Sequence, residues 1–234
     1  MKIEYDIVDH CNLNCKNCGH SSQFKSNNEK SLSQIKSEIG LLQSKIPISI
    51  FRIVGGEPLL HSNIATALII LRNIFGHDTD ITLVTNGIKL LKMRKFFFEV
   101  LNRYNIRIEI SKYPIKINYS DIEKLLIENN VKYKISTIDY FYNFIDSTGV
   151  QDASESFTLC RSKFYCPFYD GLNIFLCAYV KNVPFINSKD SHKIQHDYVS
   201  VYDPIEVITK YLSKSCSTCS FCKSTRQPEP WRVE

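Results

Sequence analysis

The chain has 234 residues and a formal charge of +5, from 29 basic and 24 acidic side chains, with 44% of residues hydrophobic and 23% charged. These proportions suit one globular domain with at most a small appendage, and exclude a disordered, collagen-like or membrane-spanning chain. The longest apolar-rich stretch, Ile64 to Phe75, is broken by Thr66, Arg72 and Asn73, so no run reaches the ~18 apolar residues of a membrane span. The mixed charge reads as a solvated surface rather than a nucleic-acid interface.

Strand and helix patterns alternate over the first 140 residues. Ile3, Tyr5 and Ile7 alternate as a strand. Ser31 opens a helix with Gln34 three positions on, as in a capping box, and an apolar face of Leu32, Ile35, Ile39 and Leu42. A strand from Ile48 to Val54 ends at Gly55-Gly56, and a helix follows from about Ile64 to Phe75. The strand Ile81 to Val84 ends at Thr85-Asn86-Gly87. A helix from Met93 to Tyr104 carries Phe96 to Phe98, expected in the core. After a strand from Ile106 to Ile110, Ser120 and Glu123 form a second capping box before the helix Ile122 to Asn129, and Val131 to Ile135 reads as a fifth strand. Such alternation predicts a parallel sheet with right-handed crossovers, a sixth strand being sought within 140–160. Beyond residue 145 the pattern changes: Asp146 to Glu155 is polar, Asp170-Gly171 signals a hairpin, Val180 to Asp203 reads as irregular, and Pro204 to Leu212 as a short helix. A domain boundary is expected near residue 150, giving units 1–150 and 151–234.

Nine cysteines stand out, and they come in three groups: Cys11, Cys15, Cys18; Cys160, Cys166, Cys177; Cys216, Cys219, Cys222. An odd number cannot close into intrachain disulfides. The opening MKIEYDIVDH has no apolar signal-peptide core. The expectation is a cytoplasmic protein whose clustered thiols bind metal. Three thiolates within Cys11-x3-Cys15-x2-Cys18 are one short of a closed structural zinc site, which His10 or His20 could complete. On a cubane iron–sulfur cluster they would leave one iron open. The first cysteine group, Gly55-Gly56-Glu57-Pro58 and Thr85-Asn86-Gly87 all fall at predicted strand C-termini, where sheets of this kind build their sites.

Cys11-Asn12-Leu13-Asn14-Cys15-Lys16-Asn17-Cys18 after one strand, then Gly55-Gly56-Glu57-Pro58 after the next, resembles the radical S-adenosylmethionine (SAM) enzymes. The resemblance covers residues 1 to about 140 in motif and element order. It implies an α/β fold, a partial (β/α)6 TIM-like barrel. It also implies a 4Fe–4S cluster on Cys11, Cys15 and Cys18 that binds SAM and cleaves it reductively to a 5′-deoxyadenosyl radical, which abstracts a substrate hydrogen atom. By the same resemblance Gly55, Gly56, Glu57 and Pro58 receive the methionine end of SAM. Asn86 and Ser111 match positions that meet its carboxylate or ribose. Asn17 stands near adenine, where many members carry an aromatic residue. A flavodoxin or ferredoxin is the expected reductant.

Cys160-x10-Gly171-x5-Cys177 with Cys219-x2-Cys222 resembles the auxiliary-cluster extensions called twitch and SPASM domains, although their second gap is usually four residues. This implies an auxiliary 4Fe–4S cluster on Cys160, Cys177, Cys219 and Cys222, with Cys166 and Cys216 as alternates; a four-cysteine zinc site stays open. Cys166 is a candidate hydrogen donor. His20 could face substrate or cap the loop, and Trp231 is expected to cover the cluster loop. The functional expectation is an oxidoreductase or epimerase acting on a small molecule (a sugar, aminocyclitol or nucleotide-sugar), since the chain begins on its first barrel strand with no peptide-recognition domain ahead of it. A peptide-modifying maturase is the alternative, and a non-catalytic zinc or iron–sulfur module a third reading.

Overall fold

The structure, a computed structural model, describes residues 1–161, 165–186 and 197–233. Its core is β1 (Lys2–Asp6), α1 (Leu32–Lys45), β2 (Ile50–Val54), α2 (Ile64–Phe75), β3 (Asp80–Thr85), α3 (Lys95–Arg103), β4 (Arg107–Lys112), α4 (Tyr119–Glu128) and β5 (Tyr133–Thr137). The five strands run parallel in the order β5-β4-β3-β2-β1, with Tyr5 beside Ile53, Ile53 beside Leu83, Leu83 beside Ile108 and Ile108 beside Tyr133. This is the expected partial barrel.

Period-two alternation gives the sheet two unlike faces. Ile3, Tyr5, Phe51, Ile53, Leu83 and Ile108 are fully buried and share one core with Ile35, Ile39 and Leu42 of α1 and Leu68 and Leu71 of α2. The Phe51 and Phe75 rings lie 4.6 Å apart between β2 and α2. The inner face is charged: Arg52 bridges Glu4 at 3.0 Å and Glu109 at 2.5 Å. Ser31 caps α1 as expected, accepting from the Gln34 N–H at 3.1 Å; such a cap contributes about 1 kcal/mol.

Several expectations are corrected. α4 is capped by Asn118, whose Oδ1 accepts from the Ser120 N–H, so the helix starts at Tyr119; Glu123 instead accepts from the Tyr133 hydroxyl at 2.9 Å. Of the phenylalanine run, Phe97 and Phe98 are buried but Phe96 is 56% exposed, because three consecutive helical positions cannot all face one side. The strand at 140–145, β6 (Tyr140–Ile145), does not join the barrel; it pairs antiparallel with β10 (Cys222–Pro230). The sixth parallel strand is β7 (Phe168–Tyr169), on the other side of β1.

From β7 the sheet continues antiparallel into β8 (Asn173–Phe175) and β9 (Val199–Ser200). Asp170 makes the expected turn, accepting from Leu172 N and Asn173 N, with Gly171 at φ 121°. A polar stretch holds α5 (Ala153–Arg161). The region read as irregular contains α6 (Ala178–Ile186), while its residues 187–196 lie outside the described ones. α6 is held by tertiary contacts: Tyr179 packs edge-on to Phe144 with centroids 5.1 Å apart, and Lys181 pairs with Asp6 at 2.8 Å. α7 (Ile205–Leu212) follows Pro204 as expected.

Candidate active site

After β1 the chain runs beside the end of β2. Gly56 N donates to Val8 O at 3.0 Å and Glu57 N to His10 O at 2.9 Å. A Cβ on Gly56 would stand 1.9 Å from His10 O, and one on Gly55, at φ 151°, 2.5 Å from Val8 O. The two glycines therefore seat the cysteine loop against β2, a role the sequence reading did not assign them. Any ligand contact would come in addition.

Glu57 is 1% exposed and turned inward. Its Oε1 accepts from Leu59 N at 3.0 Å and from the Thr85 hydroxyl at 2.6 Å, and its Oε2 from Asn86 N at 2.8 Å. Burial pushes its pKa up, against these three donors. The carboxylate thus ties the β2 end to the β3 end. Asn86, so held, reaches back to the cysteine loop: its Nδ2 donates to Asn12 Oδ1 at 2.8 Å and stands 3.9 Å from Cys11 Sγ.

These pieces enclose one cavity of about 180 Å³. Cys11, Cys15 and Cys18 line it with Gly55, Gly56, Glu57, Asn86 and Ser111, so the structure brings together most of the residues read from sequence. Pro58 is buried in the short turn behind the wall, as its first residue. Asn17 lines the adjoining cavity instead; its backbone is left-handed at φ 60°, which Asn tolerates better than an aromatic residue. Tyr113 and Phe141 also line the first cavity and were not singled out from sequence. Tyr113 follows the β4 end two residues after Ser111 and stacks on Trp231 at 5.1 Å, 28° from parallel. Trp231 lies over the loop as expected, because Lys16 N donates to Arg232 O at 3.0 Å and Cys15 bridges to Val233.

Burial pushes the Cys11 thiol up to about 12 and the Cys15 thiol up to about 11, the former partly offset by the Leu13 N–H directed at its sulfur. Desolvated thiols become thiolates when a cation replaces the proton, so cluster loading would release protons. His20 lines both cavities and is held neutral, its pKa lowered to about 4 by burial and then by Lys25. Among the described residues its buried Nδ1 has no partner.

Of the later cysteines, Cys160, Cys166, Cys177, Cys219 and Cys222 line a second, small apolar pocket of about 40 Å³. Cys216 instead sits 3.8 Å from Cys219, sulfur to sulfur. Burial raises the pKa of Cys177 to about 12 and drives those of Cys166 and Cys222 upward as well. A third cavity of about 290 Å³ lies between the first cysteine loop and the later cysteines: Asn17, Gly19 and His20, which flank Cys18, form one wall, and Cys160, Cys166, Cys177 and Cys222 another. Phe141, Tyr142, Phe144, Ala178, Tyr179, Glu4 and Arg226 complete it. Among the described residues, no three His, Cys, Asp or Glu side chains converge on a single metal-ion position.

The family model of the radical SAM superfamily matches residues 5–145. The chain belongs to that superfamily, which implies a 4Fe–4S cluster and S-adenosylmethionine. Among curated relatives, GTP 3′,8-cyclase of Staphylococcus epidermidis is 28% identical over 160 residues, covering 64% of this chain and 47% of that protein. A probable GTP 3′,8-cyclase of Methanocaldococcus jannaschii is 27% identical over 168 residues, covering 68% and 54%. The chain thus spans about half the length of these relatives. A crystal structure of BtrN in complex with AdoMet and 2-DOIA superposes with a TM-score of 0.62 at 14% identity, over 95% of this chain and 92% of that one, a likeness of fold. The donor set fits the family's cofactor: three thiols, one fewer than a closed tetrahedral site, border a cavity with room for a further ligand. Among the described residues no helix is long and apolar enough to cross a membrane.

Proposed function

We propose that this radical SAM enzyme holds its SAM cluster on Cys11, Cys15 and Cys18, holds an auxiliary 4Fe–4S cluster on Cys160, Cys177, Cys219 and Cys222, and oxidises a small molecule bound between them. The observation that carries this reading is the 290 Å³ cavity lined by four of the later cysteines and by Asn17, Gly19 and His20 of the first cysteine loop, which shares His20 and Phe141 with the cavity lined by Cys11, Cys15 and Cys18. When bound, the first cluster supplies one-electron cleavage of SAM, and through it hydrogen-atom abstraction.

The remaining chemistry falls to the chain's own groups. Phe141, Phe144 and Tyr179 present apolar faces on which a ring could stack and which exclude water. His20, neutral and with a nitrogen that has no partner among the described residues, offers a hydrogen bond to a substrate hydroxyl. A sugar, aminocyclitol or nucleotide-sugar suits such a site. Compounds of that kind, together with 2-DOIA, which the BtrN structure contains, and GTP, after the curated relatives, form the panel to test.

Cys166 favours a second reading. It lines both the thiol pocket and the larger cavity, while four other cysteines suffice for the cluster. A thiol so placed could return a hydrogen atom to the opposite face of a substrate radical, giving epimerisation, and would then need one electron and one proton to be restored.

Anaerobic reconstitution with iron and sulfide, then SAM and dithionite, tests the proposal. The expected result is about eight irons per chain and 5′-deoxyadenosine formation. Stoichiometric zinc without SAM cleavage would sink it. Cys166→Ala with full iron, intact SAM cleavage and lost turnover would establish the second reading; lost iron would make Cys166 a ligand. Turnover of a peptide, with none of the small molecules, would move the assignment to a maturase.

A further inference from the structure

The chain has a single tryptophan, and the reaction chemistry leaves it without a task. Trp231 directly follows β10, a strand that begins at Cys222, one of the later thiols. Two backbone pairings lay this segment across the first cysteine loop: Lys16 N donates to Arg232 O at 3.0 Å, and Cys15 bridges to Val233. The Lys16 ammonium adds an ion pair with Glu229 at 3.0 Å. Both partners are partly solvated, so the pair orients the segment more than it stabilises it.

The indole is held in one orientation. The Trp231 backbone N–H donates to Asp139 O at 2.9 Å. The ring stacks on Tyr113, which in turn stands edge-on to Phe141 with centroids 5.8 Å apart. The indole Nε1–H is buried and meets no oxygen or nitrogen acceptor among the described residues. Buried donors are rarely left so, and this one calls for an acceptor. What it faces is sulfur: burial raises the Cys15 thiol, and the Trp231 indole N–H is the leading group that opposes the rise. A thiol sulfur is a weak acceptor, whereas a charged acceptor makes the shorter and stronger bond. The N–H therefore suits a thiolate that carries a cluster better than it suits a thiol.

We infer that Trp231 is a positioning residue of the SAM cluster: its indole N–H donates to the Cys15 thiolate and raises the potential at which the cluster takes up its electron, while its ring shields the loop. The inference rests on the proposed reading, in which Cys15 is a cluster ligand. Reduction adds negative charge to the cluster and its sulfurs, so a donor aimed at one of them stabilises the reduced state more than the oxidised one. The segment that follows Cys222 thus carries a group that tunes the first cluster.

The test uses the reconstituted holoprotein and two variants. Trp231→Phe keeps a ring on Tyr113 but has no N–H, and Trp231→Ala removes both. The midpoint of the first cluster is followed by redox titration with electron paramagnetic resonance, its signal identified by the change that added SAM produces. Trp231→Phe should keep its iron, while the ratio of reduced to oxidised cluster at the wild-type midpoint falls about tenfold, a shift of about 59 mV to more negative potential. Trp231→Ala should shift likewise and also lose iron several-fold faster in air-saturated buffer. Because the tryptophan is unique, wild type isotope-labelled at the indole nitrogen gives a measurement that needs no variant: pulsed resonance of the reduced cluster should show a weak coupling to the label. An unchanged midpoint in Trp231→Phe overturns the inference, as does absence of that coupling in wild type; faster iron loss in Trp231→Ala with neither effect would make Trp231 a cover and nothing more. If Trp231→Phe fails to load its cluster, the coupling decides. A wild type whose iron gives no SAM-responsive signal would instead sink the proposed function, and the inference with it.

Discussion

Replacing Glu57 separates two roles for the Gly-Gly-Glu-Pro segment. Its carboxylate accepts from Leu59 N, the Thr85 hydroxyl and Asn86 N, all inside the protein. Glu57→Ala leaves these three donors buried and unpaired, at about 1–3 kcal/mol each. The loss is offset by relief of the burial that raises the pKa of Glu57. A net destabilisation of about 3–5 kcal/mol is expected, as for other buried groups stripped of one partner. At about 2–4 °C per kcal/mol for a chain of this size, the midpoint of thermal unfolding of the cluster-free protein falls by about 10 °C. The pH dependence follows from the raised pKa. The contribution of Glu57 is fully present below the ordinary glutamate value and is lost as pH rises through the raised one. Glu57→Gln should abolish that decline. Differential scanning calorimetry across pH reads both effects. An unfolding midpoint for Glu57→Ala within about 2 °C of wild type, with SAM binding alone weakened, would refute the reasoning and return the carboxylate to the ligand.

Gly56→Ala should displace the cysteine loop, because the new Cβ would fall 1.9 Å from His10 O; iron analysis after reconstitution should lose the first cluster's share and keep the second's. Arg72 donates to four carbonyls, those of Tyr104, Gly76, Thr79 and Asn105, and locks the α2 end onto its neighbours. Arg72→Met should therefore cost about 3 kcal/mol in urea unfolding, and an unchanged midpoint would refute that role. Asp6 is held below the usual carboxylate range: Lys181 leads the opposing charges that outweigh the cost of its burial. Its stabilising contribution is present above the ordinary aspartate value and lost as pH falls through the depressed one, so Asp6→Asn should flatten the acid limb of the stability curve.

The barrel half was legible because its signals are local and periodic. Ile3, Tyr5 and Ile7 alternate, and Ser31 caps a helix by a side-chain-to-backbone bond within three residues. The first thiol loop and Gly55-Gly56 were legible because both motifs sit at strand ends. The C-terminal half was less so. α6 was read as irregular because Val180, Asn182 and Pro184 have poor helix propensity, and contacts such as Lys181 with Asp6 and Tyr179 with Phe144 hold it. β10 contains Pro228 and Pro230, which speak against a strand until β6 is found as its single partner among the described residues.

The sequence by itself determined the chemistry: which thiols come in threes, which strand ends carry glycines, and hence the superfamily and its cofactor, because ligand spacing on a short loop is set by local chain geometry. Only the tertiary structure decided that the later cysteines, far from the first in the chain, line a cavity walled on its other side by Asn17, Gly19 and His20 of the first cysteine loop. It decided that Glu57 points inward as a brace, that Trp231 and Val233 close over the first loop, and that Phe96 stands exposed among lysines. Those outcomes depend on β7 packing beside β1 and on β6 leaving the barrel to pair with β10. Such long-range pairings are selected by the packing and hydrogen bonding of the whole chain, which no local window of sequence contains.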